Sequence, residues 1–107
     1  MEKLWSRIGI TQLAFEAFCR KWKIARVELF GSVLREDFGA NSDIDLLVTY
    51  EPTADWSLLD HVAMQNELSD LCTRKVDILT RRSVERSRNP YRRESILASA
   101  TTIYAYS

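Results

Sequence analysis

Glycine and proline are scarce in this chain of 107 residues, with three of the first and two of the second. So few breakers leave no composition for a flexible linker, and neither an internal repeat nor a low-complexity segment is present. There are two cysteines, Cys19 and Cys72, far apart and without a second pair. That spacing suggests neither a zinc ribbon nor a disulfide scaffold, and it fits a reducing compartment, the cytoplasm by default. Both fall in otherwise apolar patterns, where a free cysteine behaves as a small buried hydrophobe. No apolar run approaches the roughly 20 residues a membrane helix needs. The opening Met-Glu-Lys-Leu-Trp-Ser-Arg has no apolar stretch to act as a secretory signal. Net charge is missing too: 15 Lys and Arg meet 15 Asp and Glu. That balance argues against a nucleic-acid binder driven by bulk positive charge.

What the chain does have is apolar material, 46% of its residues, at a length that fits one domain over residues 1–107. Its charges are unevenly placed. Residues 28–70 hold one cation, Arg35, against ten carboxylates. Residues 1–27 hold six cations against two carboxylates, and residues 71–107 eight against three. An acidic middle between basic ends reads either as a mutually neutralising surface or as a centre that demands cations.

Periodicity divides the chain into elements. Leu13, Phe15, Phe18, Cys19 and Trp22 lie near helical spacing over residues 11–23, with Thr11 as N-cap. Residues 26–30 alternate as a strand and stop at Gly31-Ser32; residues 33–38 form a short helix before the turn-rich Gly39-Ala40-Asn41-Ser42. Residues 44–50 read as a second strand, ended by Pro52. A helix follows from Ser57 to about residue 71, its apolar side supplied by Leu58, Leu59, Val62, Met64, Leu68 and Leu71. Residues 75–80 give a third strand. Asn89-Pro90 then starts a C-terminal helix whose buried stripe is Ile96, Leu97, Ala100, Ile103 and Tyr104. The expected fold is α/β (α+β), a small mixed sheet of three to four strands flanked by helices.

The chemistry lies in three aspartates on strands. Asp43 and Asp45 flank Ile44, so strand geometry sends both side chains to one face, roughly 7 Å apart. Carboxylates held so close repel unless a cation sits between them. Asp77 stands between Val76 and Ile78, where an aspartate is paired, at a sheet edge, or a ligand; Lys75 is one candidate partner. Three converging oxygens suit Mg²⁺, which completes its shell with water and substrate phosphates. Gly31-Ser32 directly after a strand lets backbone N–H groups approach an anion, with the serine hydroxyl as a further donor. Arg35, one turn into the expected helix, can hold a phosphate or orient an aspartate.

These residues resemble a known family. Gly31-Ser32-Val33-Leu34-Arg35 followed by Ser42-Asp43-Ile44-Asp45-Leu46-Leu47-Val48 looks like the signature of the DNA polymerase β nucleotidyltransferase superfamily. The small size and the ending resemble its minimal nucleotidyltransferase (MNT) branch: Arg82-Ser83-Val84-Glu85, Asn89-Pro90-Tyr91, Ile96-Leu97 and Ile103-Tyr104. One departure is Glu36, where such sequences often carry glycine. The resemblance implies that Gly31 and Ser32 hold the triphosphate of ATP. It implies that Asp43 and Asp45 bind two Mg²⁺ ions, and that Asp77 completes one metal site and helps deprotonate the acceptor. Ser42 would fix the loop that aims Asp43, and Arg35 would lie near the phosphates or the acidic cluster.

The same resemblance implies a partner, because the chain is too short to hold an acceptor-binding domain of its own. In the MNT branch that partner is a HEPN-domain RNase toxin, and the activity is a type VII-like antitoxin's transfer of AMP to a toxin tyrosine. Two alternatives stand beside it: an antitoxin that neutralises by contact alone, and a catalytic subunit that modifies RNA or a small molecule. The basic segment Arg81, Arg82, Arg86, Arg88, Arg92 and Arg93 reads as a solvated helix face or a surface for an acidic partner. It lacks the interleaved aromatics of an RNA surface. Trp5 and Trp56 serve either an interface or the core, and His61 reads as a surface histidine.

Overall fold

The computed structural model describes residues 2–39 and 41–106; Ala40 of the expected turn, Met1, Ser107 and the side chain of Glu2 lie outside them. Helix α1 spans Glu2–Ile8, α2 Gln12–Lys21, and strand β1 Ile24–Phe30. A 3₁₀ turn over Gly31–Leu34 leads through a loop to β2, Ile44–Tyr50. Then come α3 (Leu58–Cys72), β3 (Val76–Thr80), α4 (Arg81–Glu85), α5 (Pro90–Ser99) and β4 (Thr101–Ala105). The expected caps are in place. Thr11 accepts from Ala14 N–H, Ser57 and Asp60 close a capping box, and Asn89 with Pro90 starts α5.

The four strands form one mixed sheet in the order β3-β2-β1-β4. β1 pairs antiparallel with β2 and β4, and β2 pairs parallel with β3, with α3 as the crossover. Alternation along the strands sorts the side chains. Val27, Leu29, Leu46, Val48, Val76 and Ile78 enter the main core with Phe15, Phe18, Met64 and Leu68 from the helices. Phe30 and Leu47 enter a smaller core on the opposite face, beneath Val84 of α4 and Ile96 of α5. Glu28 is on that second face, 4% exposed, and Arg81 Nη1 donates to its Oε1 at 2.6 Å. This pair pins α4 to the sheet.

Three expectations change, and the alternatives left open for two tryptophans resolve toward packing. Ile103 and Tyr104 belong to strand β4 and not to the C-terminal helix; the chain turns extended at Ala100 (ψ 127°), and Thr-Thr-Ile favours a strand. The helix expected over 33–38 is a 3₁₀ turn ending at Leu34, with Arg35 already extended. On α3, Leu58, Leu59, Val62 and Leu71 are exposed, and only Met64, Leu68 and Cys72 are buried. Trp5 and Trp56 pack edge-on against Phe15 and Trp22. Helices α1 and α4 are additions to the sequence reading. Cys19 and Cys72 are buried as expected, and burial pushes their thiols up to about 12 and about 11, which keeps them protonated and inert.

His61 is not a free surface side chain. Ser69 Oγ accepts from Val76 N–H (3.0 Å), Gln65 Oε1 accepts from Ile78 N–H (2.8 Å), and His61 Nε2 donates to the Ile78 carbonyl (2.8 Å). The three side chains lie four residues apart on α3. Four helical residues advance about 6 Å and two strand residues about 6.6 Å, so one helix stripe tracks the open edge of β3 and satisfies it. Gln65→Ala, which leaves the buried Ile78 N–H without a partner, should lower stability by about 1–3 kcal/mol. A urea unfolding midpoint identical to that of the unchanged protein would contradict this.

Candidate active site

The carboxylates sit on the second face, where the cover given by α4 and α5 ends. Asp45 faces Asp77 in the parallel β2–β3 register, and Phe30 faces Asp45 across β1–β2. Alternation therefore brings Asp45 and Asp77 side by side at one end of the sheet. The chain leaves β1 at Gly31 with φ +76°, and a Cβ on that residue would lie 2.5 Å from Asp45 Oδ2. Gly31 is thus required twice, for its backbone conformation and for the space the carboxylate occupies. Ser32 Oγ donates to the Asp43 carbonyl at 3.2 Å, tying the turn to the residue just before β2.

Asp43 lies 3.7 Å from Lys75 Nζ through its Oδ2. Lys75 is therefore paired with Asp43 and not with Asp77. Among the described residues, neither Asp45 nor Asp77 forms an ion pair. The Asp45 carboxyl is held above the ordinary value of 3.8, first by burial, then by repulsion from Asp77 and Asp43, with Arg35 and Arg92 acting in the opposite sense.

The two aspartates open onto a cleft of about 460 Å³. Gly31, Arg35 and the apolar Phe30 and Leu34 line one side of it; Arg92, Ser95, Ile96 and Ser99 of α5 line another. Arg35 also lies 3.4 Å from Asp37. Ser32 and Ser42 are not in the lining. Ser42 Oγ instead accepts from Gly39 N–H at 3.2 Å, fixing the loop before Asp43. Glu36 is exposed in a turn without positive φ, so the backbone there does not call for glycine. Among the described residues, no three carboxylate, imidazole or thiol groups close into a cage for a cation unaided.

Three arginines escaped the sequence reading as site residues. Arg7 of α1 donates to the carbonyls of Val33 (2.8 Å) and Arg35 (2.5 Å), bracing the Gly31 turn. Arg74 donates to the carbonyls of Gly39 and Ser42 and lies 4.5 Å over the Phe38 ring, bracing the loop before β2. Arg92 faces the cleft from α5. The first two act over separations of 28 and 35 residues, which no local spacing encodes. Arg92 carried a weak signal, as a cation one turn after the Asn89-Pro90 helix start.

A family model described as a nucleotidyltransferase domain matches residues 12–103. The chain belongs to this nucleotidyltransferase family. A curated Methanocaldococcus jannaschii relative, provisionally named protein adenylyltransferase MJ1217, is 43% identical over 77 residues, covering 71% of this chain and 72% of its own. A solved structure provisionally described as a minimal nucleotidyltransferase is 35% identical, with a TM-score of 0.62, covering 83% of this chain and 85% of that one. Two more distant structures share the fold. A toxin–antitoxin with AMP-PNP has a TM-score of 0.69 at 17% identity, covering 92% and 76% of the two chains. A tri-AMPylated Shewanella oneidensis HEPN toxin with MNT antitoxin has 0.59 at 16%, covering 89% and 70%. The small mixed sheet with helices is thus a nucleotidyltransferase fold. No helix among the described residues is long and apolar enough to cross a membrane.

The raised Asp45 carboxyl of this nucleotidyltransferase has a consequence for stability. The folded state holds that proton more tightly than the unfolded chain, so the contribution is present below the unfolded value of 3.8 and is lost as pH rises through the folded one. Without divalent cations, Asp45→Asn should therefore be more stable than the unchanged protein at pH 7, and the difference should close below pH 3.8. Denaturation in EDTA across this range measures it; a less stable Asp45→Asn at neutral pH would contradict the assignment.

Proposed function

We propose that this nucleotidyltransferase transfers AMP from ATP to a tyrosine of a cognate HEPN RNase toxin and thereby acts as its antitoxin. The observation that carries the reading is the Asp45–Asp77 pair, unpaired with any cation among the described residues and opening onto a cleft beside Gly31. The adenylyltransferase name of the relative and the AMPylated HEPN complex among the structural neighbours support the choice of group and acceptor.

The donor set fits Mg²⁺: carboxylate oxygens only, repelling one another, with no closed cage, so that water and substrate phosphates finish the shell. Asp43, Asp45 and Asp77 would hold two such ions, whose charge stabilises the attacking and leaving oxygens of an in-line displacement. Gly31 leaves room for Asp45 and, with Ser32, holds the triphosphate; Ser42 keeps the loop of Asp43 in place. Arg35 lies beside the phosphates. The tyrosine oxygen forms its bond to the α-phosphorus as the bond to pyrophosphate breaks, and Asp77 receives the tyrosine proton. A site inside the cell, where ATP and the toxin's RNA substrates are found, suits this reaction.

The test is incubation with ATP, MgCl₂ and the HEPN partner, followed by intact-mass measurement of both proteins. The toxin should gain AMP, and Asp77→Asn should slow the gain at least about 100-fold. Inhibition of the RNase with no gain in mass would favour neutralisation by contact. Label appearing on RNA or a small molecule would move the acceptor there.

A further inference from the structure

The cleft has a floor of acceptors and a wall of donors. Ionised Asp45 and Asp77 can only accept hydrogen bonds. Opposite them, Arg92, Ser95 and Ser99 line the same space from α5, at the three- and four-residue steps that share one helix face. Two of these donors are unspent. Ser99 Oγ is committed to the carbonyls of Ser95 (3.0 Å) and Ile96 (3.3 Å). Among the described residues, the side chains of Arg92 and Ser95 have no hydrogen-bond or ion-pair partner.

Arg82, Arg86 and Arg88 also lack side-chain partners among the described residues, but they lie outside the lining of this cleft. Arg81 is held by Glu28, Arg93 donates to the Ser87 carbonyl, and Arg35 is beside Asp37. A guanidinium left free across a cleft from carboxylates suits a ligand that is itself all acceptors and strongly anionic. Polyphosphate is such a ligand.

We propose that Arg92, with Ser95 beside it, grips the terminal phosphates of the nucleoside triphosphate and holds the pyrophosphate that leaves. The assignment rests on the nucleotidyl-transfer reading above. The α-phosphate must lie at the carboxylates, where its bond to the acceptor oxygen forms. The electron pair of the broken bond passes to the β-phosphate side, and there the guanidinium meets the charge as it develops. Arg92 is then a specificity-determining residue that separates triphosphate from monophosphate.

Calorimetric titration in MgCl₂ with three probes, ATP, pyrophosphate and AMP, tests it. Arg92→Ala should weaken ATP and pyrophosphate about 10- to 100-fold and leave AMP unchanged. Arg92→Lys, which keeps the charge and loses the planar fork, should fall between. Arg88→Ala, exposed and outside the cleft lining, should change none of the three. Undiminished ATP and pyrophosphate binding in Arg92→Ala, or AMP weakened as much as ATP, would overturn the role of Arg92 while the reaction reading stands. Failure of the unchanged protein to bind any probe would overturn both.

Discussion

The register of one parallel strand pair sets two carboxylates side by side where no cation among the described residues forms an ion pair with either. Asp45 and Asp77 occupy facing positions on β2 and β3, so the spacing of their backbones is fixed by the sheet. The backbone next to them is fixed as well. Gly31, with φ +76°, lets the turn after β1 run against the Asp45 carboxylate, and Arg7 and Arg74 hold the two loops that meet there. A site built this way carries an electrostatic cost in the folded state, which a bound cation would relieve.

The rest of the fold keeps that end of the sheet both rigid and open. The main core covers one face. On the other, α4 and α5 cover only part, anchored by Phe30, Leu47, Val84 and Ile96 and by the buried Glu28–Arg81 pair. The uncovered remainder is the cleft. The parallel β2–β3 pair depends in turn on α3, whose His61, Gln65 and Ser69 close the outer edge of β3. Structure and chemistry are thus divided between the two faces of a single sheet.

The juxtaposition of Asp45, Asp77 and Gly31 was legible in the sequence because strand alternation and a glycine after a strand are local signals. Asp43-Ile44-Asp45, Asp77 and Gly31-Ser32 could all be picked out from spacing, and the first three strands with them. The fourth strand was not. Ile96, Leu97, Ala100, Ile103 and Tyr104 keep a helical spacing across the Ala100 break, and only pairing with β1, far away in sequence, makes Thr101–Ala105 a strand. The apolar side of α3 misled for a related reason. Leu58, Leu59 and Val62 look like core, yet the helix turns its His61, Gln65 and Ser69 stripe to the sheet edge and leaves those three exposed. The bracing roles of Arg7 and Arg74 are tertiary contacts that no local pattern announces.

The central claim is that the Asp45–Asp77 pair awaits divalent cations. Thermal unfolding with increasing MgCl₂, in the presence of a non-hydrolysable ATP analogue, tests it most directly, since a ligand bound only by the folded state raises Tm with its concentration. The account predicts a Tm that climbs by several degrees in the unchanged protein and stays flat in Asp45→Asn. Equal climbs in both proteins, or none in either, would contradict it.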